Sequence, residues 1–147
     1  MPEKIIATNR KASFNYHLME KFEAGLQLVG SEVKSLRTAS ANISEAYAVM
    51  KKGELWLINA NINPYDPANY LNHKPKRDRK LLLHKRELLK IDQKLKERGL
   101  TLVPTKIYFK EGRAKCEIAL AKGKKSYDKR ESIKKRDINR ELSRGER

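Results

Sequence analysis

Three groups of side chains could do chemistry, and in all three the chemistry is the capture of phosphate. The densest is His73–Lys90 (HKPKRDRKLLLHKRELLK), where eight Lys and Arg stand against two acids. Pro75 keeps its beginning out of helix, so Arg77, Arg79 and Lys80 are expected on an exposed connection leading into a helix. His84 and Lys85 then fall at the helix N-terminus, where the dipole disfavours cations, which points to compensation by a bound anion. The second group is Ala121–Arg130 (AKGKKSYDKR). There Lys122, Lys124 and Lys125 supply charge, Gly123 lets backbone N–H groups approach a phosphate, and Tyr127 offers a ring to an unpaired base. The third is the short run Asn9-Arg10-Lys11.

Catalytic constellations are not visible. His17, His73 and His84 are scattered, and the single Cys116 falls in a strand pattern, so neither a metal site nor a cofactor is expected. The phosphate-cradling GxGxxG and GxxxxGK[ST] patterns and the GxSxG nucleophile pattern do not occur. Glu20, Glu23 and Glu32 could be imagined as paired carboxylates but read more simply as solvated or capping acids. The chain is therefore expected to bind rather than to catalyse.

The charge is uneven. The 147 residues hold 34 Lys and Arg against 18 Asp and Glu, a net +16. Residues 1–72 carry 8 basic and 7 acidic side chains, whereas residues 73–147 carry 26 and 11. A neutral half joined to a strongly basic half fits a polyanionic partner. The longest unbroken apolar run, Ala46–Met50, is far short of the roughly 20 residues that cross a bilayer. With one cysteine and no apolar leader at the N-terminus, a reducing cytoplasmic setting is expected, and the Asn42-Ile43-Ser44 sequon is an accident of composition.

The elements that must position these groups read as one body followed by a tail. Glu23–Val29 is a short strand candidate. Residues 46–58 form a hairpin about Gly53. Val103, Thr105, Ile107 and Phe109 alternate with Pro104, Lys106, Tyr108 and Lys110. After Gly112, Ala114, Cys116, Ile118 and Leu120 alternate with charged residues, giving a second, half-buried hairpin with Cys116 turned inward. Leu81, Leu88, Ile91 and Leu95 make one apolar stripe for a helix over His84–Arg98, closed by Gly99. Shorter helices are predicted at Tyr16–Phe22, capped by Asn15, and at Glu32–Arg37, capped by Ser31. This is a mainly β chain with some helix, and the pattern suggests a small closed antiparallel barrel over residues 1–125. Residues 126–147 hold three aliphatic residues among 8 basic and 5 acidic ones, too few to order alone.

The strings NRKA (Asn9–Ala12), EAGLQLVGSEVKSLR (Glu23–Arg37), RKLLLHK (Arg79–Lys85) and LAKGKKSYDKR (Leu120–Arg130) resemble, in order, the small protein B family of SsrA-binding proteins. The resemblance implies an OB-like barrel with three helices. It implies binding to the tRNA-like domain of transfer-messenger RNA and its delivery to the empty A site of a stalled ribosome, with elongation factor Tu engaged through the alanylated RNA. It also implies a basic tail that enters the vacant mRNA channel as a helix. On this chain the tRNA-like-domain contacts would fall on Asn9, Arg10, Lys11, Glu32, Lys34, Arg37, Asn42, Arg79, Lys80, Leu82, His84 and Lys85, joined by Arg77 from the charge reading. Glu32 either accepts from a base amino group or orients Lys34 and Arg37 from within the protein; the second is favoured, because carboxylate–base contacts are the rarer use. Contacts to the decoding site of the small subunit would fall on Lys122, Gly123, Lys124, Lys125, Tyr127, Asp128, Lys129 and Arg130. The channel contacts would continue along Ile133, Lys134, Lys135, Arg136 and Arg140. A structural ribosomal or general RNA-binding protein on the same barrel is the alternative.

Overall fold

The computed structural model describes residues 4–38, 41–64, 73–97 and 99–123. In chain order these form β1 (Lys4–Thr8), α1 (Arg10–Asn15), β2 (Tyr16–Leu26), α2 (Gly30–Arg37), β3 (Ala41–Asn42), β4 (Tyr47–Lys51) and β5 (Glu54–Ile58). They continue with β6 (Asn61–Ile62), β7 (Arg79–Leu82), α3 (Lys85–Leu95), β8 (Leu100–Lys110) and β9 (Arg113–Gly123). Seven strands make one antiparallel sheet in the order β1-β8-β4-β5-β7-β2-β9, and β9 also pairs with β8. The strand pairing thus runs in a ring from β8 through β4, β5, β7 and β2 to β9 and back. β3 and β6 form a separate two-stranded pair.

Both hairpins expected from the sequence are present, and their turns have the same cause. Lys52-Gly53 and Glu111-Gly112 each place two successive residues at positive φ, at 52° and 76° and at 53° and 76°. That backbone matches the twist of the flanking strands, and glycine tolerates it at no steric cost. Within the ring lie Ala24 and Leu26 of β2, Leu55 and Leu57 of β5, Leu81 of β7, Leu102 of β8, and Cys116, Ile118 and Leu120 of β9, all buried. Leu36 of α2 and Ile91 of α3 add to the same core.

Several expectations need correction. Tyr16–Phe22 is strand, not helix; the helix precedes it and ends at Asn15. The residues Leu18, Met19, Glu20 and Lys21 favour helix locally, but Tyr16, Phe22, Ala24 and Leu26 also satisfy a two-residue period, and the ladder to β9 wins. Of the strand candidate at Glu23–Val29, residues 23–26 are the end of that longer strand, while residues 27–29 are not strand and lead into α2. In β8 the even alternation is broken by a register shift between Pro104 and Lys106. Pro104 and Tyr108 are consequently buried with Val103 and Ile107, while Thr105 turns to Glu117 Oε2, 2.5 Å away. Leu81 leaves the helical stripe for β7, and α3 itself is Lys85–Leu95. Ser31 does not cap α2. Its hydroxyl lies 2.9 Å from His73 Nδ1, and the Val29 N–H is instead accepted by the Glu32 carboxylate at 2.9 Å.

Candidate RNA interface

The stretch expected as an exposed connection is mostly built into the fold. Arg79 opens β7 with no exposed surface at all. Its Nε donates to Glu32 Oε2 at 2.5 Å, Nη1 to the carbonyls of Ala60 and Arg77 at 2.7 and 3.0 Å, and Nη2 to the Pro75 carbonyl at 3.1 Å. Glu32 is equally buried, and its Oε1 also accepts from Arg77 Nη2 at 2.5 Å. Burial opposes its ionisation, but the bonds from Arg77, the Val29 N–H and Arg79 outweigh that cost and hold the carboxyl below the ordinary glutamate range. Burial likewise draws the Arg79 pKa down, yet a guanidinium starts so high that it stays charged. Glu32 is thus turned inward to Arg77 and Arg79, not to the expected Lys34 and Arg37. Lys34 and Arg37 stand at exposed positions of the same helix.

Lys80, next on the strand, turns its ammonium to Glu54 at 3.0 Å. Leu82 faces outward with 48% of its surface exposed. His84 sits at the N-cap of α3, its backbone N–H accepted by Glu87 at 3.3 Å, and Lys85 and Arg86 follow in exposed positions. Leu82 and His84 line a cleft of about 640 Å³ whose floor is Leu26, Leu28, Val33, Leu83 and Phe109. Its rim carries Glu23, Glu87, Arg113 and Lys115. Gly25 faces Leu82 across the ladder, and a Cβ there would lie 3.3 Å from that of Leu82, so the glycine sets how closely β2 and β7 meet. Glu23 is held below its usual pKa, chiefly by the Tyr108 hydroxyl 2.5 Å away. An apolar floor with a carboxylate and cations at its rim can take a base or ribose face, a 2′-hydroxyl and a phosphate together.

Glu23, Phe109, Arg113 and Lys115 were not among the expected RNA contacts. Arg113 and Lys115 were visible as the charged side of an alternating strand, but only the ring of strands brings them to Leu82.

The Asn9-Arg10-Lys11 group divides. Asn9 is buried, its Nδ2 donating to the Pro104 carbonyl at 2.9 Å, whereas Arg10 and Lys11 are exposed on α1. Asn42 bends its own backbone, its Oδ1 accepting from the Ser44 N–H and hydroxyl. Lys122 and Gly123 are exposed at the end of β9, where they pair with His17 and Tyr16. Lys124, Lys125, Tyr127, Asp128, Lys129, Arg130, Ile133, Lys134, Lys135, Arg136 and Arg140 lie outside the described residues, as does Arg98.

A family model described as SmpB protein matches residues 6–147. The chain belongs to the SmpB protein family. Curated members include the SsrA-binding protein of Carboxydothermus hydrogenoformans, 56% identical over 140 residues that cover 95% of this chain and 94% of that one. That of Desulforudis audaxviator is 53% identical over 146 residues, covering 99% and 95%. That of Afipia carboxidovorans is 57% identical over 144 residues, covering 97% and 92%. Among solved structures, a chain described as "tmRNA-SmpB: a journey to the center of the bacterial ribosome" superposes with a TM-score of 0.70 at 46% identity, over 86% of this chain and 92% of that one. The four strings that suggested the family all fall inside the matched region.

Proposed function

We propose that the chain binds the tRNA-like domain of transfer-messenger RNA and delivers it to ribosomes stalled with an empty A site, acting in trans-translation as a binder rather than an enzyme. The observation that carries this is the likeness, at 46% identity and over most of both chains, to a structure described as tmRNA-SmpB in the bacterial ribosome. The relatives named SsrA-binding protein support the same RNA partner. The ring of strand pairing supports reading residues 1–125 as a closed, OB-like barrel. On that barrel the Leu82 cleft takes unpaired nucleotides, with His84, Arg113 and Lys115 in its lining as polar and cationic contacts, and the exposed Arg10, Lys11, Lys34, Arg37 and Lys85 add phosphate contacts elsewhere on the body. Glu32 and Arg79 have no exposed surface to offer RNA and position those contacts from within.

Residues 126–147 form the second part, a tail that stays unordered alone and lies as a helix in the vacant mRNA channel, with Lys122–Arg130 at the decoding site. Elongation factor Tu joins through the alanylated RNA, and the setting is the cytoplasm. Ending the chain after Lys125 tests the division. Affinity for the tRNA-like domain should stay within about twofold, since the body keeps its contacts, while peptide tagging on stalled ribosomes should be lost. Equal loss of both would overturn the two-part reading.

A further inference from the structure

A second cleft, of about 290 Å³, shares no lining residue with the one at Leu82. It lies where β9 ends, because Tyr16 in its wall pairs with Gly123. Tyr16 and Tyr47 bring two phenol rings to the lining, and Tyr47 is 43% exposed although it belongs to a core hairpin. Asn9 forms part of the wall and is 7% exposed. Its Nδ2 is committed to the Pro104 carbonyl, but its Oδ1 is buried and has no hydrogen-bond partner among the described residues. A buried acceptor without a donor is costly, and native proteins leave few of them. Lys11 and Glu45, also in the lining, are paired at 3.0 Å with side chains 60% and 70% exposed. A pair so open to solvent contributes little to stability and yields readily to a competing anion.

These features specify a ligand: flat, aromatic, carrying an N–H donor for Asn9 and a phosphate for Lys11. We propose that this cleft holds one unpaired RNA base that presents an N–H donor to Asn9, an adenine with its exocyclic amino group being the case that fits and is tested below. The base stacks on Tyr47 with Tyr16 beside it, its amino group donates to Asn9 Oδ1, and the adjoining phosphate draws Lys11 from Glu45. Size agrees, since the cleft is at the lower end of small-ligand sites and takes one base rather than two. This inference rests on the reading of the chain as RNA-binding, and it adds a site that discriminates among bases at the point where the tail leaves the body.

The test compares short oligomers of adenosine with oligomers of purine riboside, which differ only in the amino group, on the full chain by fluorescence anisotropy. Equal charge cancels the phosphate contribution. The adenosine oligomer should bind about fivefold tighter, the worth of one buried hydrogen bond with its partner otherwise left empty. Tyr47→Ala should weaken both oligomers about tenfold through lost stacking and bring their ratio to one. Tyr47→Leu, which keeps apolar packing, should do the same if the alanine variant fails to fold. A ratio of one in the unsubstituted chain, or a ratio that survives removal of the ring in a folded variant, would overturn the proposal. Failure of the underlying reading has a separate signature: no preference for the tRNA-like domain over an unrelated RNA hairpin of equal charge.

Discussion

Arg79 Nε meets Glu32 Oε2 at 2.5 Å, and neither side chain exposes any surface. One buried ion pair thereby joins α2 to the first residue of β7. Through the three carbonyls that Arg79 also reaches, it fixes residues 60, 75 and 77 as well.

Glu32→Gln should destabilise the chain by about 3–5 kcal/mol, because it leaves a buried guanidinium without its counter-ion. Replacing Glu32 and Arg79 together by Met should recover only part of that loss, since the three carbonyls would then lack a donor. Urea denaturation of the two variants checks both statements.

The same carboxyl gives a pH signature. Its folded pKa lies below the ordinary value of 4.5. A depressed pKa means that the stabilisation is fully present above the unfolded value and is lost as pH falls through the folded one. Stability should therefore decline on the acid side of about pH 4.5, and Glu32→Gln should flatten that decline. An acid limb of unchanged steepness in the variant would assign the loss to other groups.

Surface and buried cations should separate by salt. Lys85→Ala should lower the slope of log affinity for the tRNA-like domain against log salt by about one unit, with the melting temperature unchanged, as expected for one phosphate contact. Arg79→Lys should do the reverse. The slope should hold while stability falls, because an ammonium cannot reproduce the fork of bonds to Glu32 and three carbonyls.

The Leu82 cleft can be tested by shape alone. Leu82→Asp sets a carboxylate among the Glu23 and Glu87 acids, at a position already 48% exposed. RNA affinity should drop at least tenfold with little change in stability. Gly25→Ala brings a methyl group to 3.3 Å from the Leu82 Cβ and should weaken binding by less, through a few tenths of an ångström of displacement. Isothermal titration with the tRNA-like domain and a thermal melt distinguish the two effects.

Cys116 should behave as a core residue. It is wholly buried, and burial pushes its thiol up to about 12. The native chain should resist a thiol reagent at pH 8 and react fully once unfolded in urea. Labelling of the folded protein at the rate of a free thiol would mean that β9 opens on its own.

The two hairpins were legible because Gly53 and Gly112 mark their turns between apolar or alternating stretches. α3 was legible from its stripe of Leu88, Ile91 and Leu95. Tyr16–Phe22 was not, since its local preference for helix is reversed by a partner almost a hundred residues away. Arg79 was the largest misreading. In a run of eight cations nothing local distinguishes the one that turns inward, and its acid, Glu32, stands 47 residues earlier. The candidate site shared that difficulty. Leu82 and His84 could be named from a string, but Glu23, Arg113 and Lys115 are brought to them only by strand order. The orphaned oxygen of Asn9 has no counterpart in sequence at all.

The last described strand has a consequence for synthesis of the chain. β9 bonds along one edge to β2 and along the other to β8, so both of those strands keep an open edge until residues 113–123 have emerged from the ribosome. Folding before that moment is confined to the partners within residues 4–110, and the slow, non-local step falls at the end of translation. A product cut short before Arg113 would carry two exposed strand edges, a form prone to aggregation and open to proteases. The integrity of this protein is thus checked at its final strand: only a chain translated through residue 123 can conceal its own backbone.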